Sequence, residues 1–160
     1  MSLVTSAAEA FVGALPARGR LLALDIGTRT IGLATASADW GFATARETLK
    51  RTKPSADQQA LAAFVQAEHI AGMVIGLPLS MDGSDTTRTQ SVRAQARNLA
   101  RGLEIPILLW DERWSTVAVE RAMIDADMSR ARRADRVDAL AAAHILEGAL
   151  ARLVRLAPGL

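Results

Sequence analysis

The feature that most constrains the fold is the stretch from Leu21 to Ala34, LLALDIGTRTIGLA. An apolar run ends on Asp25, and a short polar link containing Gly27 leads to a second apolar run from Ile31. Two strand-like runs joined in this way predict a β-hairpin. A carboxylate at the end of a buried strand is costly unless it is paired, hydrogen-bonded or bound to a metal. Taken alone, the Asp-x-Gly pattern is more typical of an ordinary surface turn.

Composition limits the kinds of site that the chain can carry. Its 160 residues predict one domain, and the 50% hydrophobic content is enough for a sizeable core. The absence of Cys excludes disulfides, thiolate zinc sites and Cys nucleophiles, and it is compatible with the cytoplasmic location that we expect. A metal site would need carboxylate, His or water ligands, and oxygen ligands suit Mg²⁺ or Mn²⁺. No apolar run approaches the ~18 residues of a membrane span, and Glu9 argues against a signal peptide.

The basic residues are almost all Arg. The formal net charge is only +2, yet all but Lys50 and Lys53 of the 19 basic residues are Arg. Arg is favoured where phosphate is bound through two parallel hydrogen bonds. A high Arg and Ala content also follows from GC-rich coding, so composition alone leaves both explanations open.

The order of elements predicts an α/β fold. Strands at about 20–26, 31–37 and 42–49 form an antiparallel meander, and residues 1–17 form a short helix or a loosely attached arm. The remaining chain alternates strand and helix, with strands in GMVIGLP and PILLW and helices at about 56–68, 86–101, 116–126 and 135–155. Such an order predicts a mixed sheet with helices on both faces.

Acidic residues follow or interrupt apolar elements at three places. Asp25 ends the first strand, Asp111 and Glu112 end PILLW, and Asp138 lies on an apolar face of the last helix. Asp138 could instead be a capping or ion-paired residue, since Arg133 and Arg136 are close. If the acids converge at one sheet edge they repel each other, unless divalent cations hold them. Two such ions can clamp the attacking and leaving oxygens of phosphodiester hydrolysis.

Other features could contact phosphate, although each has an ordinary structural explanation. The loop GLPLSMDGS joins a strand to a helix N-terminus, which favours an anion, but it lacks the Walker pattern. Two groups of arginines flank the acids and could form a phosphate track, although such stripes usually face solvent: Arg93, Arg97 and Arg101, and Arg130, Arg132, Arg133 and Arg136. Trp40 and Trp114 are the candidates for base stacking, whereas Trp110 is expected to pack in a strand.

Four motifs in this order resemble one known family. They are LALDIGTRTIGLA at 22–34, VIGLPLSMDGS at 74–84, DERWST at 111–116 and VDALAAAHIL at 137–146. The chain is similar to the YqgF family, also called RuvX, of pre-16S rRNA nucleases related to Holliday junction resolvases. The resemblance covers about residues 20 to 150. It implies a ribonuclease H-like fold with a five-stranded mixed sheet, one nuclease domain at 20–155, and an N-terminal extension at 1–19.

The resemblance also implies a metal site for two Mg²⁺ or Mn²⁺ ions. By position, Asp25, Glu112 and Asp138 match the family's acids, whereas Asp111 is either an additional member or structural. Gly27 and Gly32 would leave room for a nucleic-acid backbone. The expected contacts to nucleic acid come from Thr28, Arg29, Ser84, Arg93, Arg113, Arg132, Arg133 and Arg136.

Three functions remain open at this point, and the partner in each is RNA or branched DNA. The first is a metal-dependent nuclease that matures the 5′ end of pre-16S ribosomal RNA. The second is a Holliday junction resolvase, which would favour a homodimer over a monomer. The third is a nucleic-acid-binding factor without catalysis. An actin-like ATPase would share the Asp-x-Gly hairpin, but 160 residues leave no room for two lobes around ATP.

Overall fold

The structure, a computed structural model, describes residues 2–113 and 130–157, without the side chains of 130–138. The predicted helix at 116–126 and Trp114 lie outside the described residues. The elements in chain order are β1 (Val4–Thr5), α1 (Ala8–Ala14), β2 (Arg20–Ile26), β3 (Thr30–Ala36), β4 (Ala43–Lys50), α2 (Pro54–Ala67), β5 (Ile70–Leu77), α3 (Thr87–Gly102), β6 (Ile107–Asp111) and α4 (Arg130–Leu156).

The strands form one mixed sheet in the order β1-β6-β5-β2-β3-β4. The hairpin β2–β3 and its neighbour β4 are antiparallel, and β2, β5, β6 and β1 are parallel. This confirms the predicted meander and mixed sheet. The predicted count of five strands was one too low, because Val4 and Thr5 pair with β6 at Ile107 and Leu108. A strand of two residues has no alternation that a sequence pattern could reveal.

The N-terminal segment packs against the sheet. Residues 1–17 were expected to be a short helix or a loose arm, and the structure has the helix α1, whose Phe11 is fully buried. Gly72 on β5 lies directly beneath it, because a Cβ there would be 2.8 Å from Phe11 Cζ. A domain boundary after residue 19 stays a prediction.

The two faces of the sheet carry separate cores. Alternation along β2 directs Leu21 and Ala23 to the face covered by α1 and α4, and Leu22 and Leu24 to the face covered by α2 and α3. On α4 the residues against the sheet include Ala142, Ile145, Leu146 and Ala149. The same alternation places Asp25 on the α4 face. The predicted helices on both faces are therefore confirmed.

Two local differences from the predictions concern caps and aromatic residues. Helix α2 starts at Pro54, two residues before the predicted start at about 56, with Lys53 as its N-cap; Pro fits the first helical turn because its missing N–H is not needed there. Trp40 is buried, and its Nε1 donates to Gly19 O at 2.9 Å. It is therefore not available for base stacking. Trp110 lies half-buried in β6, as predicted.

The start of α3 is fixed to the loop before it. Thr86 and Thr89 form a capping box, in which each side chain binds the other's backbone N–H. The Thr89 hydroxyl also donates to the carbonyl of Pro78, just after β5. The first turn of α3 is thereby held beside the end of β5. Among the described helices, none is long and apolar enough to cross a membrane.

Candidate carboxylate site

The parallel strands bring two of the predicted acids to one edge of the sheet. Asp25 is the next-to-last residue of β2, and Glu112 follows β6 directly. The strands β2, β5 and β6 are in register, with Leu24 opposite Ile75 and Ile75 opposite Leu109. Because neighbouring parallel strands end at the same edge, residues distant in sequence meet there.

The Asp25 and Glu112 carboxyl groups interact directly. The pKa of Glu112 is raised to about 7, chiefly by burial and also by the negative charge of Asp25 and a hydrogen bond with it. The Arg88 guanidinium acts in the opposite direction, and Asp111 adds a smaller repulsion. Two carboxylates this close cannot both be ionised without a compensating positive charge. The pair therefore favours a shared proton or a bound cation.

Gly76 on β5 is the floor of this site. A Cβ at Gly76 would lie 2.3 Å from Glu112 Oε2 and 2.5 Å from Ile145 Cδ1. The Glu112 carboxylate therefore occupies the space that a side chain at position 76 would fill. Ile145 of α4 borders the same space. In the sequence alone, Gly76 is recognisable only as the start of the GLPLSMDGS loop.

Replacing Gly76 by Ala is expected to displace the Glu112 carboxylate and to strain the packing of Ile145. We expect a loss of unfolding free energy on the order of 1–3 kcal/mol, typical of overpacking, together with at least a tenfold loss of the activity proposed below. Thermal melts and cleavage assays measure the two effects. Gly13, whose Cβ would meet nothing within 4 Å, provides the matched Gly→Ala control. Equal behaviour of the two variants would contradict the role of Gly76.

For the third acid, Asp138, the structure gives only its position along a helix. Asp138 lies in α4, seven residues before Ile145, which is roughly two helical turns. Its side chain lies outside the described residues, as do those of Arg132, Arg133 and Arg136. Among the side chains that the structure describes, no three acids or histidines form a metal-binding group. The three-acid set stays a prediction.

The residues present fit a divalent cation. Asp25 and Glu112 offer oxygen ligands, which hard cations such as Mg²⁺ and Mn²⁺ prefer. Burial and the charge of Asp25 both raise the pKa of Glu112, and a bound cation would offset the repulsion between the two carboxylates.

Asp111 and Arg113 form an ion pair beside the site. Arg113 Nε donates to Asp111 Oδ2 at 2.8 Å, and Arg113 Nη1 donates to Met81 O at 3.0 Å. Burial would raise the pKa of Asp111, but the Arg113 hydrogen bonds and charge hold it below its usual range. In this structure Asp111 thus binds Arg113, and Arg113 ties the end of β6 to the loop after β5.

Two other predicted phosphate contacts also have partners within the chain. The Ser84 hydroxyl donates to Asp82 Oδ1 at 2.6 Å, and this bond together with the Ser84 N–H lowers the pKa of Asp82 to about 2. Arg93 forms a bidentate ion pair with Asp85, in which Nε donates to Oδ2 at 2.9 Å and Nη2 donates to Oδ1 at 3.1 Å. Nucleic-acid contacts by Ser84, Arg93 and Arg113 stay predictions, and each would compete with an internal partner.

Thr28 and Arg29 lie exposed in the turn of the β2–β3 hairpin. The turn is closed by Gly27 N, which donates to Thr30 O at 2.8 Å. The Arg29 carbonyl accepts from Arg51 N at 2.8 Å. Both side chains therefore extend from an ordered turn close to Asp25, and their contact with nucleic acid stays a prediction.

Two further arginines, which were not predicted as site residues from the sequence, bind the backbone after Asp25. Arg88 Nη2 donates to Ile26 O at 3.1 Å, and Arg51 Nη1 donates to Gly27 O at 2.6 Å. Arg88 does not belong to the four-residue stripe that begins at Arg93, so periodicity gave no signal for it. Its position in the first turn of the helix that follows the GLPLSMDGS loop was a signal that could have identified it.

Known proteins resemble the chain in sequence and in fold. The profile of the RuvX family, described as Holliday junction resolvase, matches residues 19–152. A protein of Sphingopyxis alaskensis named "Putative pre-16S rRNA nuclease" is 58% identical over 153 residues, which are 96% of this chain and 100% of the relative. A protein of the same name from Zymomonas mobilis is 54% identical over 140 residues, covering 88% of this chain and 85% of the relative.

The fold is similar to that of two solved resolvases. The structure of Thermus thermophilus RuvC in complex with a Holliday junction substrate superposes with a TM-score of 0.53 at 13% identity, covering 84% of this chain and 96% of that one. The yeast mitochondrial Holliday junction resolvase Ydc2 gives a TM-score of 0.53 at 12% identity, covering 93% and 85%. The likeness confirms the predicted ribonuclease H-like fold. The profile match and the sequence identities show that this chain belongs to the RuvX family.

Proposed function

We propose that the chain is a divalent-metal-dependent nuclease that hydrolyses phosphodiester bonds, with the 5′ end of pre-16S ribosomal RNA as its substrate. The observation that carries the proposal is the contact between Asp25 and Glu112 at a sheet edge, where burial and the charge of Asp25 raise the pKa of Glu112 to about 7. Two acids in contact at a largely buried position are unfavourable when both are ionised, and a bound cation would offset their repulsion. The names of the relatives from Sphingopyxis and Zymomonas support RNA as the substrate.

In this proposal Asp25, Glu112 and Asp138 supply the ligands for two Mg²⁺ or Mn²⁺ ions. When bound, such ions activate water and stabilise the charge that develops on the phosphate. The chain's own contribution is to hold the acids at a fixed edge, with Gly76 leaving room for Glu112. Glu112 also has to release the proton that it shares with Asp25 before it can act as a ligand.

Cleavage of defined substrates tests the proposal. We expect a labelled RNA fragment spanning the 5′ end of 16S ribosomal RNA to be cut in Mg²⁺ or Mn²⁺ and to stay intact in EDTA. Asp138→Asn should abolish cutting, because a neutral amide is a poor ligand for these ions. Cleavage by wild type in EDTA, or full activity of Asp138→Asn, would contradict the proposal.

A four-way DNA junction is the second substrate, because the family is described as Holliday junction resolvase and the fold matches two resolvases. Paired, symmetrical cuts in the junction, together with a homodimer in light-scattering measurements, would favour the resolvase function. Cuts in the RNA alone would favour rRNA maturation, with either a monomer or a dimer. Binding of either substrate without cleavage would favour a non-catalytic factor. The proposed rRNA function places the protein in the cytoplasm.

A further inference from the structure

Arg88 connects the first turn of α3 to the end of the strand that carries Asp25. It is the second residue of α3, after the Thr86 cap, and its Nη2 donates to Ile26 O at 3.1 Å. Ile26 is the residue directly after Asp25. The guanidinium therefore lies at the carboxyl edge of the sheet, approaching it from the face opposite α4.

The positive charge of Arg88 reaches the acid pair. It opposes the rise in the pKa of Glu112 that burial and Asp25 cause. The Arg88 side chain is nevertheless exposed, so its guanidinium is close to the carboxylates and open to a ligand from solvent. A group in this position can be reached by a phosphate that approaches Asp25 and Glu112.

Two arginines near Arg88 are already paired with acids. Arg93 is paired with Asp85 and Arg113 with Asp111, at N–O distances of 2.9 and 2.6 Å. Arg88 instead binds a neutral carbonyl, and within the described part of the chain it forms no ion pair. A guanidinium has five N–H donors, and the bond to Ile26 O uses one of them. The charge and most of its donors stay available.

We propose that Arg88 binds the phosphate of the nucleic-acid substrate that lies at the acid pair, adding to the chain a catalytic residue that the motifs do not mark. The inference rests on the proposed nuclease function. The first-turn N–H groups of α3 favour the same negative charge. The bond to Ile26 O holds the guanidinium in position, so little side-chain freedom is lost when phosphate binds.

The salt dependence of RNA binding separates this role from a purely structural one. Each phosphate contact contributes about 0.7 to the slope of log K against log salt for single strands. We expect Arg88→Gln to lower the slope by roughly that amount, and Arg88→Lys to keep it. Binding of labelled single-stranded RNA would be measured in EDTA, where no cleavage is expected. Loss of the hydrogen bond to Ile26 O alone would leave the slope unchanged.

Arg152→Gln is the matched control, because it removes the same charge from α4, where Arg152 is paired with Glu9 of α1. It should weaken binding little and leave the slope unchanged. Cleavage in Mn²⁺ provides a second readout, for which we expect at least a tenfold lower single-turnover rate for Arg88→Gln. If circular dichroism shows that Arg88→Gln does not fold, Arg88→Met keeps the aliphatic stem and gives the same comparison.

The outcomes distinguish this inference from the proposed function. An unchanged slope and an unchanged rate in Arg88→Gln, with wild type active, would overturn the role of Arg88 and leave the nuclease intact. A reduced slope with a wild type that cuts neither RNA nor DNA would overturn the nuclease and keep Arg88 as a phosphate-binding residue. A wild type that binds no nucleic acid would overturn both.

Discussion

Replacing Asp25 by Asn is expected to lower nuclease activity at least about a hundredfold, while the protein stays folded. Asn is close to Asp in size and keeps one acceptor oxygen, but it lacks the charge that a divalent cation needs. The change also removes the charge repulsion that helps to raise the pKa of Glu112. We therefore expect the melting temperature in EDTA to be equal to or above that of wild type.

The measurement is the initial rate of cleavage of labelled RNA in Mn²⁺, with circular dichroism to verify the fold. Asp39→Asn is the matched control, because Asp39 lies in the β3–β4 turn, where it binds Ser37 and Gly41 N. That variant should keep wild-type activity. Retention of activity in Asp25→Asn would show that cleavage does not depend on Asp25 and would contradict the proposed site.

Replacing Glu112 by Gln is expected to abolish cleavage and to stabilise the protein at alkaline pH. The folded-state pKa of Glu112 is about 7, above the usual value of 4.5. The folded state therefore holds this proton more tightly than the unfolded state does. Without metal, the stability that the proton provides is fully present below pH ~4.5, is lost as the pH rises to about 7, and stays absent above it.

The size of the effect follows from the shift. A difference of about 2.5 pKa units corresponds to roughly 3 kcal/mol as an upper estimate. Gln is neutral at every pH and can still hydrogen-bond to Asp25, so it avoids this loss. In EDTA at pH 8 we expect Glu112→Gln to melt about 5–10 °C above wild type, and at pH 4.5 we expect the two proteins to melt together.

Thermal melts at a series of pH values make this comparison, and added Mg²⁺ should stabilise wild type but not the variant. Glu104→Gln is the matched control, since Glu104 is exposed before β6, and it should melt like wild type throughout. A Glu112→Gln protein no more stable than wild type at pH 8 would show that the acid pair does not strain the fold.

Several parts of the fold follow from local patterns in the sequence. The apolar runs around Asp25 predict the hairpin, and the pairing of Asp25 with Gly32 confirms it. The run GMVIGLP predicts β5, and the helix predicted at about 86–101 matches α3. Each depends on hydrophobic periodicity and turn residues, which act over a few positions and are therefore visible in the sequence. The two-residue strand β1 was missed because its pairing with β6 is a long-range contact.

The sequence by itself determined which acids are available, the order of the strands and helices, and the motifs of the RuvX family. Only the tertiary structure decided which charged residues meet. It brings Glu112 against Asp25 above Gly76, directs Arg113 to Met81 O, and leaves Arg88 without an acidic partner among the described residues. Charge neutralisation depends on distances between elements far apart in the chain. Those distances are set by sheet register and helix packing, which local spacing does not encode.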